Sequence, residues 1–103
     1  MPTLVLMFKD KVLSLHPIED GTTVTIGRHR SNDIVVDNPI VSGLHAHVDR
    51  QGNKILLTDL QSKNGTFQNG QRVSQSELHH NDIITIGKHT IIVDTQDEPP
   101  DGQ

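Results

Sequence analysis

Apolar and polar residues alternate along most of this chain with a period of two, the repeat of a strand that buries one face. Thr3–Phe8 and Lys11–His16 flank Lys9-Asp10 and predict a hairpin. Thr22–Ile26 alternates Thr with Val24 and Ile26, as a half-buried strand does. Ile34–Val36 reads as a short strand between loops. His45–Arg50 and Lys54–Asp59 meet through Gln51-Gly52-Asn53, a second hairpin signal, and Asp82–Ile86 with His89–Asp94 form a third around Gly87-Lys88. Shorter pieces at Phe67-Gln68 and Arg72-Val73 occupy the interval between the second and third. No stretch keeps an apolar period of about 3.6 residues long enough for a helix.

Ten or eleven short strands in 103 residues predict a sandwich or barrel, because an open sheet that wide would bury too little. Composition agrees. Ten Ile, nine Val and nine Thr stand against a single Ala, and β-branched side chains lose rotamer freedom in helices but suit a pleated sheet. The length allows one domain, expected over residues 1–94. Residues 95–103, polar, acidic and carrying Pro99-Pro100, read as a tail or linker to a further part of a longer protein.

Several function classes are disfavoured at this level. The chain has no cysteine, so it can form neither a disulfide framework nor a thiolate metal site, and this fits a reducing, cytoplasmic setting. The run Leu4–Phe8 is too short for a signal-peptide core or a membrane span. The net charge of −4 comes from the last ten residues, where Asp94, Asp97, Glu98 and Asp101 face no base. The rest of the chain is formally neutral. Nucleic-acid binding requires a basic face and, for single strands, stacking aromatics, whereas Phe8 and Phe67 are the only aromatic residues of the Phe, Trp and Tyr class.

Three polar loops concentrate the candidate chemistry. They are Gly27-Arg28-His29-Arg30-Ser31-Asn32-Asp33, Val41-Ser42-Gly43-Leu44-His45, and the segment from Asp59 to Gly70. Together they offer guanidinium, hydroxyl, ammonium and carboxamide donors, the set that a phosphate and its peptide backbone would require. Asn64-Gly65 and Asn69-Gly70 are turn formers, since Asn and Gly tolerate positive φ.

In order and spacing these residues resemble the forkhead-associated (FHA) domain. The resemblance lies in Gly27-Arg28, in Ser42 to His45, in Asp59-Leu60-Gln61-Ser62-Lys63-Asn64-Gly65-Thr66, in Asn69-Gly70, and in Asn81-Asp82-Ile83-Ile84-Thr85-Ile86-Gly87. It implies an all-β sandwich of about eleven short, mostly antiparallel strands whose loops at one end bind phosphothreonine in a partner protein. It also implies roles. Arg28, Ser42 and Lys63 match phosphate ligands, and Asn64 matches the residue that bonds the ligand backbone. Gly27, His45, Gly65 and Asn69 match loop-bracing positions. Gly43 departs from the pattern, which commonly has Arg or another polar residue there.

Other readings compete. Seven histidines invite a metal site, and His45 and His47, two apart on an expected strand, would share a face. A specific site needs three or four converging ligands, and no further cluster has that spacing, so no metal or cofactor is expected. Ser42 and His45 lack the nucleophile elbow and oxyanion hole of a hydrolase. Gly87-Lys88 lacks the rest of a phosphate-binding loop. A non-catalytic module is therefore expected, either phosphothreonine-dependent or a phosphate-independent protein-interaction domain on the same fold.

Overall fold

The computed structural model describes residues 1–95, and the expected acidic tail lies almost wholly outside them. Eleven strands run in chain order: β1 (Thr3–Phe8), β2 (Lys11–Pro17), β3 (Thr23–Gly27), β4 (Ile34–Val35), β5 (Ala46–Gln51), β6 (Lys54–Asp59), β7 (Thr66–Gln68), β8 (Gln71–Val73), β9 (Gln75–Glu77), β10 (Ile83–Ile86) and β11 (His89–Asp94). They form a six-stranded sheet in the order β2-β1-β11-β10-β7-β8 and a five-stranded sheet in the order β4-β3-β5-β6-β9. The fold is the expected β-sandwich.

Alternation builds the core. Six strands each turn two aliphatic residues inward: Leu4 and Leu6, Val24 and Ile26, Ala46 and Val48, Ile55 and Leu57, Ile84 and Ile86, Ile91 and Val93. Register stacks them, pairing Leu4 with Val93, Leu6 and Ile84 with Ile91, and Val48 with both Val24 and Leu57. Each of these Val, Leu and Ile side chains contributes about 1.5–3 kcal/mol through burial. No helix of the described residues is long and apolar enough to cross a membrane.

Two local features depart from simple alternation. Strand β4 runs parallel to β3, Ile26 beside Ile34, although only residues 28–33 connect them. That tight crossover is tied by reciprocal bonds, Thr25 N–H to Asp33 Oδ2 at 2.9 Å and Asp33 N–H to Thr25 Oγ1 at 3.0 Å. Strand β9 was not expected at all, because Gln75-Ser76-Glu77 has no apolar residue to reveal it. It forms by pairing with Leu56–Thr58 of β6. Its Ser76 hydroxyl also bonds Gln68 of the other sheet.

Candidate functional site

The loops after β3, β4 and β6 meet at one end of the sandwich. The first two are joined backbone to backbone, Arg28 N–H to Ser42 O at 3.0 Å and His29 N–H to Gly43 O at 3.1 Å. Gly27 permits this approach. A Cβ there would stand 2.2 Å from Gly43 O and 2.8 Å from Asn32 Nδ2, so any side chain would push the loops apart.

His45 joins the second loop to the third. It is fully buried, accepting from Ser42 N–H at Nδ1 (3.1 Å) with Nε2 2.9 Å from Gly65 O. The partners assign the ring proton to Nε2, since Ser42 N–H can only donate and Gly65 O can only accept. His45 precedes β5, and this corrects the expectation that it shares a face with His47. His47 lies on the outer surface between Thr25 and Thr58, whereas His45 turns under the loops.

Asp59 fastens the third loop. Its carboxylate accepts from Ser62 N–H (3.1 Å), Ser62 Oγ (2.5 Å) and Thr66 Oγ1 (2.6 Å), while Ser62 Oγ accepts from Gly65 N–H at 3.0 Å. Burial alone would raise the Asp59 carboxyl, but these hydrogen bonds, with His45 nearby, hold it below the ordinary carboxylate value. Gly65 takes φ +93° and leaves no room for a Cβ, which would stand 2.9 Å from Arg72 Nε.

On this frame the donors converge. Arg28 spends its Nε–H on Val41 O (3.0 Å), and among the described residues the N–H groups of its two terminal nitrogens have no hydrogen-bond partner. Ser42 Oγ accepts from Lys63 N–H at 3.1 Å, so its own hydroxyl proton is available to an acceptor. Asn64 donates from Nδ2 to Ile40 O at 2.6 Å, which seats it beside the same loop. Arg28, Lys63 and Asn64 are exposed and Ser42 is half-buried. Among the described residues neither Arg28 nor Lys63 has an ion-pair partner.

Seven of the eight residues singled out by sequence thus belong to one cluster. Asn69 does not. It braces the β7–β8 turn at the opposite end, donating to Asp82 Oδ1 and accepting from Ile83 N–H, both at 2.9 Å. Sequence reading also missed two buried asparagines. Asn32 donates from Nδ2 to both His29 O and Gly43 O at 2.8 Å. Asn38 accepts from Ile40 N–H at 3.1 Å, and the Asn-Pro pair at 38–39 is the turn signal that could have marked it. His29 is a third omission. A Cβ on Gly43 would lie 2.3 Å from its Cδ2, so the ring covers the space that a side chain at 43 would take.

A hollow of about 500 Å³ between β2 and β3, lined by Leu15, His16, Thr23 and Asp33 among others, includes none of these donors.

A two-sheet sandwich with a donor-lined loop cluster at one end defines the class, and the FHA domain model matches residues 24–87. The chain belongs to the FHA family. It is 37% identical over 73 residues to the oxoglutarate dehydrogenase inhibitor of Corynebacterium jeikeium, covering 71% of this chain and 51% of that protein. It is 34% identical over 73 residues to the glycogen accumulation regulator GarA of Mycolicibacterium smegmatis, covering 71% and 46%. The chain therefore spans about half the length of the curated relatives it matches. Among solved structures it is similar to the FhaA FHA domain complexed with the intracellular domain of Rv3910 (TM-score 0.82, 31% identity, 90% of this chain and 99% of that one). It is also similar to Mycobacterium tuberculosis EmbR in complex with a low-affinity phosphopeptide (TM-score 0.78, 29% identity, 89% and 24%).

Proposed function

We propose that residues 1–94 form a non-enzymatic recognition module that binds phosphothreonine in a partner protein through the loops after β3, β4 and β6. The observation that carries this reading is the convergence of Arg28, Ser42, Lys63 and Asn64 on a braced surface where, among the described residues, no carboxylate pairs with Arg28 or Lys63. A phosphate near neutral pH brings about −1.5 to −2 charges, which such donors match.

Arg28 and Ser42 hold the phosphate, Lys63 adds a solvated charge, and Asn64 bonds the ligand backbone. His29, lying over Gly43, supplies a polar ring where family members commonly have a larger side chain at position 43. The relatives are named as an inhibitor and a regulator, which suits a module that acts by binding. The cysteine-free sequence fits work in the cytoplasm.

Calorimetric titration with matched phosphothreonine and threonine peptides tests the reading, with Arg28→Ala alongside. The phosphopeptide alone should bind. Losing one partner of a charge pair that the bound peptide buries costs roughly 2–5 kcal/mol, so Arg28→Ala should abolish measurable binding. The loss of its Nε–H bond to Val41 O should cost only about 0.5–1.5 kcal/mol of stability and leave the fold intact. Ser42→Ala should cost about 1.5–3 kcal/mol and Lys63→Ala about 1 kcal/mol or less. Equal affinity for both peptides would instead support a phosphate-independent interaction domain.

A further inference from the structure

The outward faces of the two sheets differ in character. Across β3, β5, β6 and β9 one outward row reads Thr25, His47, Thr58 and Gln75, and Leu56 is the one aliphatic residue in the row beside it. Across β2, β1, β11 and β10 the equivalent row reads Leu15, Val5, Ile92 and Ile83. A β-bulge enlarges this second surface. Ser14 pairs with Leu6 and Val12 with Met7, so Leu13 is an extra residue in β2. Strict alternation would turn Val12 inward; the bulge leaves Val12 and Leu13 on the same outer side, over Met7. Val12, Leu13 and Leu15 are 57%, 51% and 62% exposed. Three solvated aliphatic residues on one strand, continuous with Val5, Met7, Ile92 and Ile83 behind them, make a patch rather than scattered exposure.

What fits it follows from shape, area and charge. The same bulge disrupts the ladder at the β2 edge, which blunts strand addition there. A patch of this kind offers on the order of a few hundred Å², short of the roughly 800 Å² per partner of a stable free-standing interface. A second copy of the chain would therefore not stay bound through it, whereas a partner already held elsewhere would gain. Lys9, Lys11 and Lys88 stand against Asp10 and Asp37 at the end where Phe8 pairs with His89. That end adjoins the phosphate loops, since a Cβ on Gly87 would lie 2.8 Å from Val41 Cγ2.

We propose that the outer face of β2, β1, β11 and β10 is a second docking surface for the phosphorylated partner, receiving an amphipathic helix that is aliphatic on one side and acidic at the end nearer the phosphothreonine. The inference rests on the phosphothreonine reading only for the tether. Once the loops hold the phosphothreonine, docking of the helix is intramolecular and raises affinity without any new contact at the loops. A helix suits a flat sheet face through aliphatic residues spaced i, i+3, i+4 and i+7.

Fluorescence anisotropy with three labelled probes tests this. The first is a short phosphothreonine peptide. The second is that peptide joined by a Gly-Ser linker to a helix with the stated Leu spacing and Glu at its linker end. The third has every helix Leu replaced by Ala. The second should bind at least about tenfold more tightly than the other two. The double substitution Leu13→Asp with Leu15→Asp should erase that gain and leave the short peptide's affinity unchanged, which also reports an intact fold. Equal binding of the second and third probes would overturn the proposal, as would a gain that survives the double substitution. Sedimentation of the native chain as a dimer dispersed by that substitution would overturn it too, by assigning the face to a second copy. Leu15-dependent binding of the second probe without binding of the first would keep this surface and overturn the phosphothreonine reading alone.

Discussion

Replacing His45 separates what the loops are from what they hold. Its ring bridges Ser42 N–H and Gly65 O with no exposed surface. His45→Phe fills the site with a somewhat larger ring and removes both bonds, stranding a donor and an acceptor that cost about 1–3 kcal/mol each when buried and unpaired. His45→Ala strands the same two groups and adds a cavity that the loops can partly collapse into, for a total of about 3 kcal/mol or more. For a domain of this size that lowers Tm by more than about 12 °C, out of a stability on the order of 5–15 kcal/mol. Urea unfolding of the two variants, followed by calorimetry with a phosphothreonine peptide well below their Tm, checks both halves. Both variants should be destabilised to a similar degree. Both should also bind more weakly, because Ser42 is no longer tied to the third loop and its ordering must be supplied on binding. A His45→Phe protein within about 0.5 kcal/mol of native stability would refute the reasoning and reduce His45 to a space-filling residue.

Gly27→Ala should cost about 1–3 kcal/mol and weaken phosphopeptide binding, since its methyl would meet Gly43 O; equal stability in urea would show that the loops move apart freely. Acid should act in two stages on Tm measured against pH. Burial, opposed by Asp33 and Asp37, lowers His16 and His89 below the histidine value of 6.5, so the unfolded chain takes up those protons first and stability falls as pH drops below that value. Asp59 and Asp82 are held below 3.8, so their contribution is present above that value and is lost as pH falls through their folded pKa. Replacing both histidines by Gln should flatten the upper stage and leave the lower. Phosphothreonine should be preferred over phosphoserine several-fold, from about 0.8 kcal/mol for one buried methyl and the stiffer rotamer it imposes, and equal affinities in calorimetry would exclude a niche for that methyl.

The parts legible in the sequence were those whose signal is local. Leu4 and Leu6, Ile91 and Val93 announce their strands by alternation, and Asp59 to Thr66 announces its loop because Asp59, Ser62, Gly65 and Thr66 bond one another. Strand β9 was not legible, since Gln75-Ser76-Glu77 exists as a strand only through β6. Asn32 was missed for a similar reason: Gly43, one of its two acceptors, belongs to another loop. Asn69 looked like its neighbours in sequence, yet β7 carries the chain about 13 Å away from the loop cluster between Gly65 and Asn69. The bulge at Leu13 could not be read from Lys11–His16, because register is a property of two strands.

The pairing of the first strand with the last has a consequence for how this unit combines with other sequence. Thr3 lies opposite Asp94, at the far end of the hairpins from Phe8 and His89. The two points of attachment are therefore neighbours, at the pole away from the loops. Such a unit can be spliced into a surface loop of a host as readily as hung from a terminus, because its entry and exit require no gap in the host wider than a strand pair. Wherever it is placed, cargo attached behind it leaves the opposite pole uncovered.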